Sequence, residues 1–165
     1  MKKFDSKRKG FTLVELLIVI VVIGILSAMM MLSSSEAVSS ARATTIVADM
    51  RNIKTALLAY YTDNIDDLSV GDISKNEKKP TMALIQPYLT SGKTVDNNVL
   101  DGYTLDISDS GWFVKCTISG TNVAKIQTKL KGRAASTGLL KETKPTGGKY
   151  TVYDGNSNTV YMLAR

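Results

Sequence analysis

The chain has 165 residues, of which 44% are hydrophobic, enough for one modest domain and one additional element. The absence of histidine excludes histidine-dependent nucleophilic catalysis and imidazole metal ligands, and the single cysteine, Cys116, excludes an intramolecular disulfide and a cysteine-based zinc site. The net charge of +6 is concentrated in residues 1–10, where five basic residues against one acidic residue give +4, whereas residues 11–165 carry 16 basic and 14 acidic residues, or +2.

The first predicted element is an apolar segment at residues 11–32, which contains a single charged residue, Glu15, among its 22 residues. About 20 apolar residues suffice to cross the hydrocarbon core of a bilayer. An ordinary signal peptide has an apolar core of about 7–15 residues and a pair of small residues at its cleavage site, which the stretch GILSAMMM lacks. Because the basic residues of the leader all precede this segment, the positive-inside rule predicts a single-pass helix with a cytoplasmic N-terminus.

Glu15 is unexpected in this segment, because a carboxylate costs about 2.5–3.5 kcal/mol at the centre of a membrane helix and less near its end. One interpretation is that Glu15 lies near the interface and reaches water. The other is that it pairs with a cation that appears when the chain is cut between Gly10 and Phe11. The new α-amino group of Phe11 would then lie four residues before Glu15, on the same helical face. The uncut chain offers Glu15 no partner placed this well.

The stretch KGFTLVELLIVIVVIGIL resembles the class III signal peptide and N-terminal helix of type IV pilins and type II secretion pseudopilins. The resemblance is close over residues 7–30 and looser to about residue 64. It implies that Gly10 precedes the site cut by a prepilin peptidase and that Phe11 becomes the N-terminal, N-methylated residue. It also implies that Glu15 takes part in the docking of subunits, and that the protein has a structural role without a cofactor.

Residues 33–63 are predicted to continue the helix as an amphipathic segment. Ser33 and Glu36 have the spacing of a capping box, which would mark a fresh helix start, but a continuous helix that becomes polar outside the membrane is the favoured interpretation. Farther on, apolar residues recur at alternating steps of four and three, and the stripe consists of Ile46, Met50, Ile53, Leu57 and Tyr60. A helix from about Thr12 to Thr62 therefore needs a small domain to cover one side of its second half.

Residues 64–165 are predicted to form a globular head. The polar residues 63–80 indicate an exposed linker, and TMALIQPYL predicts a short helix that is broken by Pro87. Apolar alternation predicts one strand at Tyr103, Leu105 and Ile107 and another from Trp112 to Ile118, with a turn at SDSG between them. Because Cys116 falls on the apolar face of the second strand, we interpret it as a small buried hydrophobe and not as a reactive thiol.

The stretch TNVAKIQTKLKG predicts a helix with one apolar stripe that stops at Gly132. A long loop at residues 133–149 and a final hairpin, formed by KYTVY and TVYMLA around DGNSN, complete the head. The fold class is therefore α+β: a long N-terminal helix, membrane-spanning in its first half and amphipathic in its second, packs on a small antiparallel sheet of about four strands. The predicted segments are a leader at 1–10, a membrane or filament-core helix at 11–32, its amphipathic continuation at 33–63 and the head at 64–165.

Two patterns in the head have the composition of binding sites. Asp154, Asn156 and Asn158 alternate as calcium ligands can, but the loop lacks the glycine at its sixth position and the later acidic residue, so we predict no metal site. Residues 120–165 carry eight basic residues against two acidic ones. This surplus keeps nucleic acid as an alternative partner, although the basic residues lack an interleaved aromatic platform for stacking bases.

These observations predict a structural subunit of a type IV pilus-like filament and not an enzyme. We expect a single-pass precursor in the bacterial cytoplasmic membrane that later enters an extracellular or periplasmic filament. Its expected partners are further copies of the chain, a prepilin peptidase, the assembly machinery and the membrane. Two alternatives remain: a pseudopilin of a type II secretion or competence DNA-uptake system, and a monomeric membrane-anchored binding module with a basic lobe.

Overall fold

The computed structural model describes residues 10–68, 79–89, 102–108, 111–145 and 149–165. The chain forms two compact units, which divide between Ala37 and Val38. The helices of the described ranges are α1 (Leu13–Asp63), α2 (Ile65–Leu68), α3 (Met82–Ile85) with a following 3-10 turn (Gln86–Tyr88), and α4 (Val123–Thr137). The strands are β1 (Tyr103–Ser108), β2 (Gly111–Thr117), β3 (Leu139–Leu140) and β4 (Thr159–Leu163). This architecture confirms the α+β prediction.

Helix α1 is continuous over 51 residues, which confirms the favoured interpretation and places Ser33 and Glu36 inside the helix. The sequence has neither glycine nor proline between Gly24 and Gly71, so nothing in this stretch breaks the backbone ladder. The hydroxyl groups of several threonines donate to the carbonyl group four residues earlier in the helix, and these residues are Thr44, Thr45, Thr55 and Thr62.

The second half of α1 supplies one wall of the hydrophobic core. The predicted stripe is confirmed, because Met50, Ile53 and Leu57 are fully buried, Tyr60 is nearly so, and Ile46 is half-buried against them. The small residue Ala43 extends the buried face toward the start of this unit. Fully burying a side chain of the size of leucine contributes about 1.5–3 kcal/mol, so this stripe fixes the second half of the helix against the sheet.

The four-stranded sheet is antiparallel, with the strand order β1-β2-β4-β3. The predicted pairing of the first two strands is confirmed, with Tyr103 opposite Cys116 and Leu105 opposite Val114. Residues 109 and 110 of the SDSG turn lie outside the described residues. At the end of the chain, the guanidinium of Arg165 lies 3.7 Å from the centre of the Tyr61 ring, and the carbonyl of Arg165 accepts a hydrogen bond of 2.8 Å from the Trp112 amide.

The predicted end of α4 at Gly132 is wrong. The helix continues to Thr137, because Ala134 extends the buried stripe of Ile126 and Leu130 by one more turn. Gly138 is the actual cap: its φ of 74° is left-handed, which glycine adopts without steric cost, and its amide donates to the carbonyl of Ala134 at 2.9 Å. On the exposed side, Arg133 donates to the Thr44 hydroxyl at 2.6 Å and so ties α4 to α1.

The predicted final hairpin is also wrong, although the number of strands is right. Strand β4 pairs with β2 and with the two-residue strand β3, which lies in the stretch predicted as a loop. In KYTVY, Val152 makes an isolated bridge with Leu140. The physical reason is burial: Leu139 and Leu140 are both buried, whereas Val152 is half exposed. The sheet therefore takes its edge strand from the residues that enter the core.

The predicted linker at residues 63–80 contains structure at its start. Residues 65–68 form α2, whose last residue, Leu68, is buried in the core; residues 69–78 lie outside the described residues. The short helix predicted in TMALIQPYL is confirmed as α3 and its 3-10 continuation, which contains Pro87. Thr81 caps α3, since its hydroxyl accepts a hydrogen bond of 3.3 Å from the Leu84 amide.

Candidate functional site

The first half of α1 presents apolar side chains on every side. Every residue from Phe11 to Met31 is exposed, and Leu13, Leu17 and Ile25 are 90%, 59% and 54% exposed. Among the described helices, α1 is the one with the length and composition needed to cross a membrane. A helix that is apolar all round is stable in lipid or among other helices but not in water, so this segment requires a partner from outside its own chain.

The bond between Gly10 and Phe11 lies directly before this helix in backbone that is not helical. Gly10 is exposed, and a Cβ atom built on it would have no heavy atom within 4 Å. The side chain of Phe11 is 86% exposed. Both residues that the resemblance assigns to processing are therefore accessible and adjacent to the start of the helix.

Glu15 forms a capping box with Thr12, the residue before the first helical residue. Its Oε2 atom accepts hydrogen bonds from the Thr12 amide at 3.2 Å and from the Thr12 hydroxyl at 3.1 Å. In return, the Glu15 amide donates to the Thr12 hydroxyl at 3.2 Å. These reciprocal bonds satisfy backbone donors that the first turn of a helix leaves unpaired. A carboxylate is also favoured at this end of the helix by the helix dipole.

This contact corrects the expectation that Glu15 has no well-placed partner in the uncut chain. The missed residue is Thr12, and the spacing Thr-x-x-Glu was a sufficient sequence signal for it. The capping box brings the carboxylate of Glu15 back toward the residues that precede the helix, where Gly10, Phe11, Thr12 and Glu15 line one shallow cleft. The sequence-predicted site residues therefore lie together.

A second cluster, which the sequence analysis missed, lies in the head. Asp49 is only 4% exposed and accepts a hydrogen bond of 3.4 Å from the hydroxyl of Tyr103, a residue 54 positions later. Beside them, burial raises the pKa of the Cys116 thiol from 9.0 to about 11, and burial also raises the pKa of Tyr103 well above its usual range. The thiol and the phenol therefore stay protonated at neutral pH, and the interpretation of Cys116 as a buried hydrophobe is confirmed by its 3% exposure.

The three residues with calcium-like spacing make contacts of their own. Asp154 forms an ion pair of 2.8 Å with Lys141, whose hydrogen bond lowers the pKa of the Asp154 carboxyl. The amide of Asn156 donates to Asp154 in a local turn, and Oδ1 of Asn158 accepts a hydrogen bond of 2.8 Å from Gln127. Within the described residues, no group of three or more potential metal ligands occurs.

The comparisons with known proteins bear on the N-terminal segment. A family model described as the prokaryotic N-terminal methylation motif matches residues 5–31. Neither the curated proteins nor the solved structures include a match to the chain. The matched motif belongs to structural proteins of the pilin type, which is not an enzyme family. The motif and the exposed apolar helix fit a membrane-anchored precursor. The predicted resemblance is confirmed: residues 5–31 are the class III signal-peptide motif of type IV pilins and pseudopilins.

Proposed function

We propose that the chain is the precursor of a structural subunit of a type IV pilus-like filament. The observation that carries this proposal is the combination of the N-terminal methylation motif at residues 5–31 with a helix whose apolar side chains are exposed all round. In the precursor, residues 1–10 form the leader, residues 11–32 span the membrane, residues 33–63 continue the helix and residues 64–165 form the head.

Maturation begins when a prepilin peptidase cuts after Gly10 and exposes the α-amino group of Phe11, which is then methylated. This cation lies one residue before Thr12, whose amide already holds the carboxylate of Glu15. Assembly replaces this local contact by a pair between the amine of one copy and Glu15 of its neighbour. The apolar faces of residues 11–32 then exchange lipid for other copies of the helix.

The pair fixes the axial register of neighbouring helices. Inside an apolar bundle, any other register leaves an amine and a carboxylate buried without partners, and leaving one such charge unpaired costs about 3–5 kcal/mol. The capping box contributes by holding Glu15 at the helix start, so that the carboxylate is oriented before a neighbour arrives. In this mechanism the chain uses charge pairing and burial and no catalytic group.

The test combines mass spectrometry of the mature N-terminus with electron microscopy of material sheared from cells. We expect a mature chain that begins at methylated Phe11, and fibres that contain it. Gly10→Ala should leave the uncut precursor in the membrane, whereas Glu15→Ala should be cut normally and give few fibres. Glu15→Gln is the matched control, because it keeps side-chain hydrogen bonding to Thr12 but removes the charge.

Two results would contradict the proposal. A mature chain that keeps its first ten residues would remove the cation on which the pair depends. A correctly cut chain that stays a monomer in the membrane would favour the membrane-anchored binding module with a basic lobe. If fibres form, their length and location distinguish a surface pilus from a secretion or DNA-uptake pseudopilus.

A further inference from the structure

The head contains an open cleft of about 550 Å³ between α1 and the edge of the sheet. Strand β3 forms this edge, since it is the last strand in the order β1-β2-β4-β3. The residues that matter for its chemistry are Arg51 and Lys54 of α1, Gly138 and Leu140 at the end of α4 and in β3, and Tyr150 and Met162. All of them belong to the same compact unit.

Two cations line this cleft, and none of the described residues places a carboxylate there to neutralise them. Arg51 and Lys54 are three residues apart and therefore lie on neighbouring positions of one helical face. In the part of the chain that the structure describes, neither side chain has an ion pair or a hydrogen bond, and no acidic side chain lines the cleft. The cleft therefore has a positive rim that can accept an anion.

The nearby end of α4 explains why Arg51 and Lys54 are tolerated in the cleft. Its effect is electrostatic and does not occupy the N–H donors of their side chains. The last carbonyl groups of a helix carry partial negative charge, which favours cations close to them. α4 ends at Thr137 beside the cleft. Because no described residue binds the N–H donors of Arg51 and Lys54, these donors stay available for a ligand.

The inner wall of the cleft is apolar. Leu140 and Met162 are buried side chains that line it, and the ring of Tyr150 adds an aromatic surface. A cleft with an apolar wall and a cationic rim is complementary to a segment that presents an aliphatic side chain next to carboxylates. It is a poor match for a bare inorganic anion, which would leave the apolar wall uncovered.

The chain itself carries such a segment at the junction of α1 and α2. Ile65 is 45% exposed, and among the described residues of the head it is one of a few large apolar side chains with that exposure. Residues 63–67 contain three acidic residues and no basic one. Asp63 is exposed, and only one of its carboxylate oxygens accepts the 2.8 Å hydrogen bond from the Tyr88 hydroxyl.

We infer that the cleft receives residues 63–65 of a second copy of this chain, with Ile65 against the apolar wall and Asp63 on Arg51 and Lys54. Within one copy, Asp63 lies 12 residues after Arg51 on the same helix, about 18 Å along its axis, so the contact has to form between copies. This inference rests on the proposed function, which supplies neighbouring copies in an axially displaced array. It adds a head-to-head contact that is separate from the pair at the N-terminus.

The most direct test places a photo-crosslinking amino acid at position 65 of the full chain in cells that make fibres. Irradiation should join two copies, and the adduct should map to residues 137–140 or to positions 150 and 162. Adducts that map elsewhere, or none at all, in a sample that contains normal fibres would overturn the inference and leave the proposed function intact. An absence of fibres from the unmodified chain would instead count against the proposed function.

A charge exchange provides the second test. Arg51→Asp and Asp63→Arg should each lower the fibre yield about tenfold, and the double variant should recover most of it, because the pair is re-formed with reversed polarity. Tyr88→Phe is the matched control, since it removes the internal hydrogen bond of Asp63 but keeps the charge. The inference would be contradicted if the double variant lost as much fibre yield as Arg51→Asp while all chains were present at normal levels in the membrane.

Discussion

The two halves of α1 have similar apolar residues and the same backbone conformation, yet they are stabilised in different ways. Leu17 in the first half is 59% exposed, whereas Leu57 in the second half is completely buried. The second half packs on residues of its own chain, including Leu130 and Val160 of the core. Most helical stability in proteins comes from such packing and little from intrinsic propensity. The first half must therefore obtain its packing from outside its own chain.

Polar groups follow the same division. In the first half, Glu15 is satisfied locally by Thr12, three residues away. In the second half, the buried Asp49 is bound by Tyr103, which lies 54 positions later. The local contact needs no packing partner, because both of its residues belong to the start of α1. The long-range contact of Asp49 instead needs the fold of the head to bring its two residues together.

Two matched leucine substitutions test this division and give the largest expected effect. Leu57→Ala should reduce the free energy of unfolding of the head by about 2–5 kcal/mol, because it leaves a cavity in the core. Leu17→Ala should leave the unfolding of the head unchanged, because its side chain is exposed there. The measurement is denaturant unfolding of the full chain in detergent, followed by the fluorescence of Trp112, the only tryptophan in the sequence and a buried one. Equal losses in both variants would break the comparison.

The reactivity of the Cys116 thiol tests, at a single buried atom, how the packed head differs from the exposed first half of α1. A rise in the pKa of Cys116 from 9.0 to about 11 lowers its thiolate fraction at neutral pH about a hundredfold. We therefore expect alkylation of the native chain to be at least a hundredfold slower than alkylation of the denatured chain. The rate should rise with pH up to about 11. Because ionisation is easier in the unfolded chain, the head should lose stability as the pH rises above 9.0 toward that value.

The matched control for this measurement moves the thiol to the other unit. Ser34→Cys in a Cys116→Ala background places it at an exposed position of the first half of α1. That thiol should react at nearly the same rate in native and denatured chains. Rapid alkylation of native Cys116 would show that the head opens easily, contrary to a fully packed core.

The sequence was sufficient where the determining contacts are local or strongly periodic. The long helix, its buried stripe and the pairing of β1 with β2 follow from the spacing of apolar residues such as Met50, Leu57 and Val114. The capping box of Glu15 could also have been predicted from the Thr-x-x-Glu spacing, but the sequence analysis did not predict it. The pairing of β3 with β4 could not be predicted from the sequence, because Leu139 and Leu140 form a strand only when Tyr161 and Met162 of β4 lie beside them. A strand of two residues is too short to show an alternation of apolar and polar residues in the sequence.

Two glycine substitutions near the end of α4 give the smallest expected changes in the stability of the head, and they test where the helix ends. Gly132 lies inside α4, and a Cβ atom there would meet nothing within 4 Å; Gly132→Ala should therefore stabilise the head by roughly 0.5–1 kcal/mol through higher helix propensity. Gly138 has the same free space but a φ of 74°, so Gly138→Ala should destabilise the head by about 1–2 kcal/mol.

Both variants are measured by the same fluorescence-detected unfolding. The informative result is whether the two substitutions change the free energy of unfolding in opposite directions. A helix that stopped at Gly132 would need the conformational freedom of glycine there, so Gly132→Ala would lower the stability. With the observed end at Thr137, the penalty falls on Gly138 alone, since the left-handed cap is what lets the chain leave α4 and enter β3. A destabilising Gly132→Ala would contradict the observed end of α4, and an unchanged stability in Gly138→Ala would show that the packing of Leu139 and Leu140, and not the cap, determines where the helix ends.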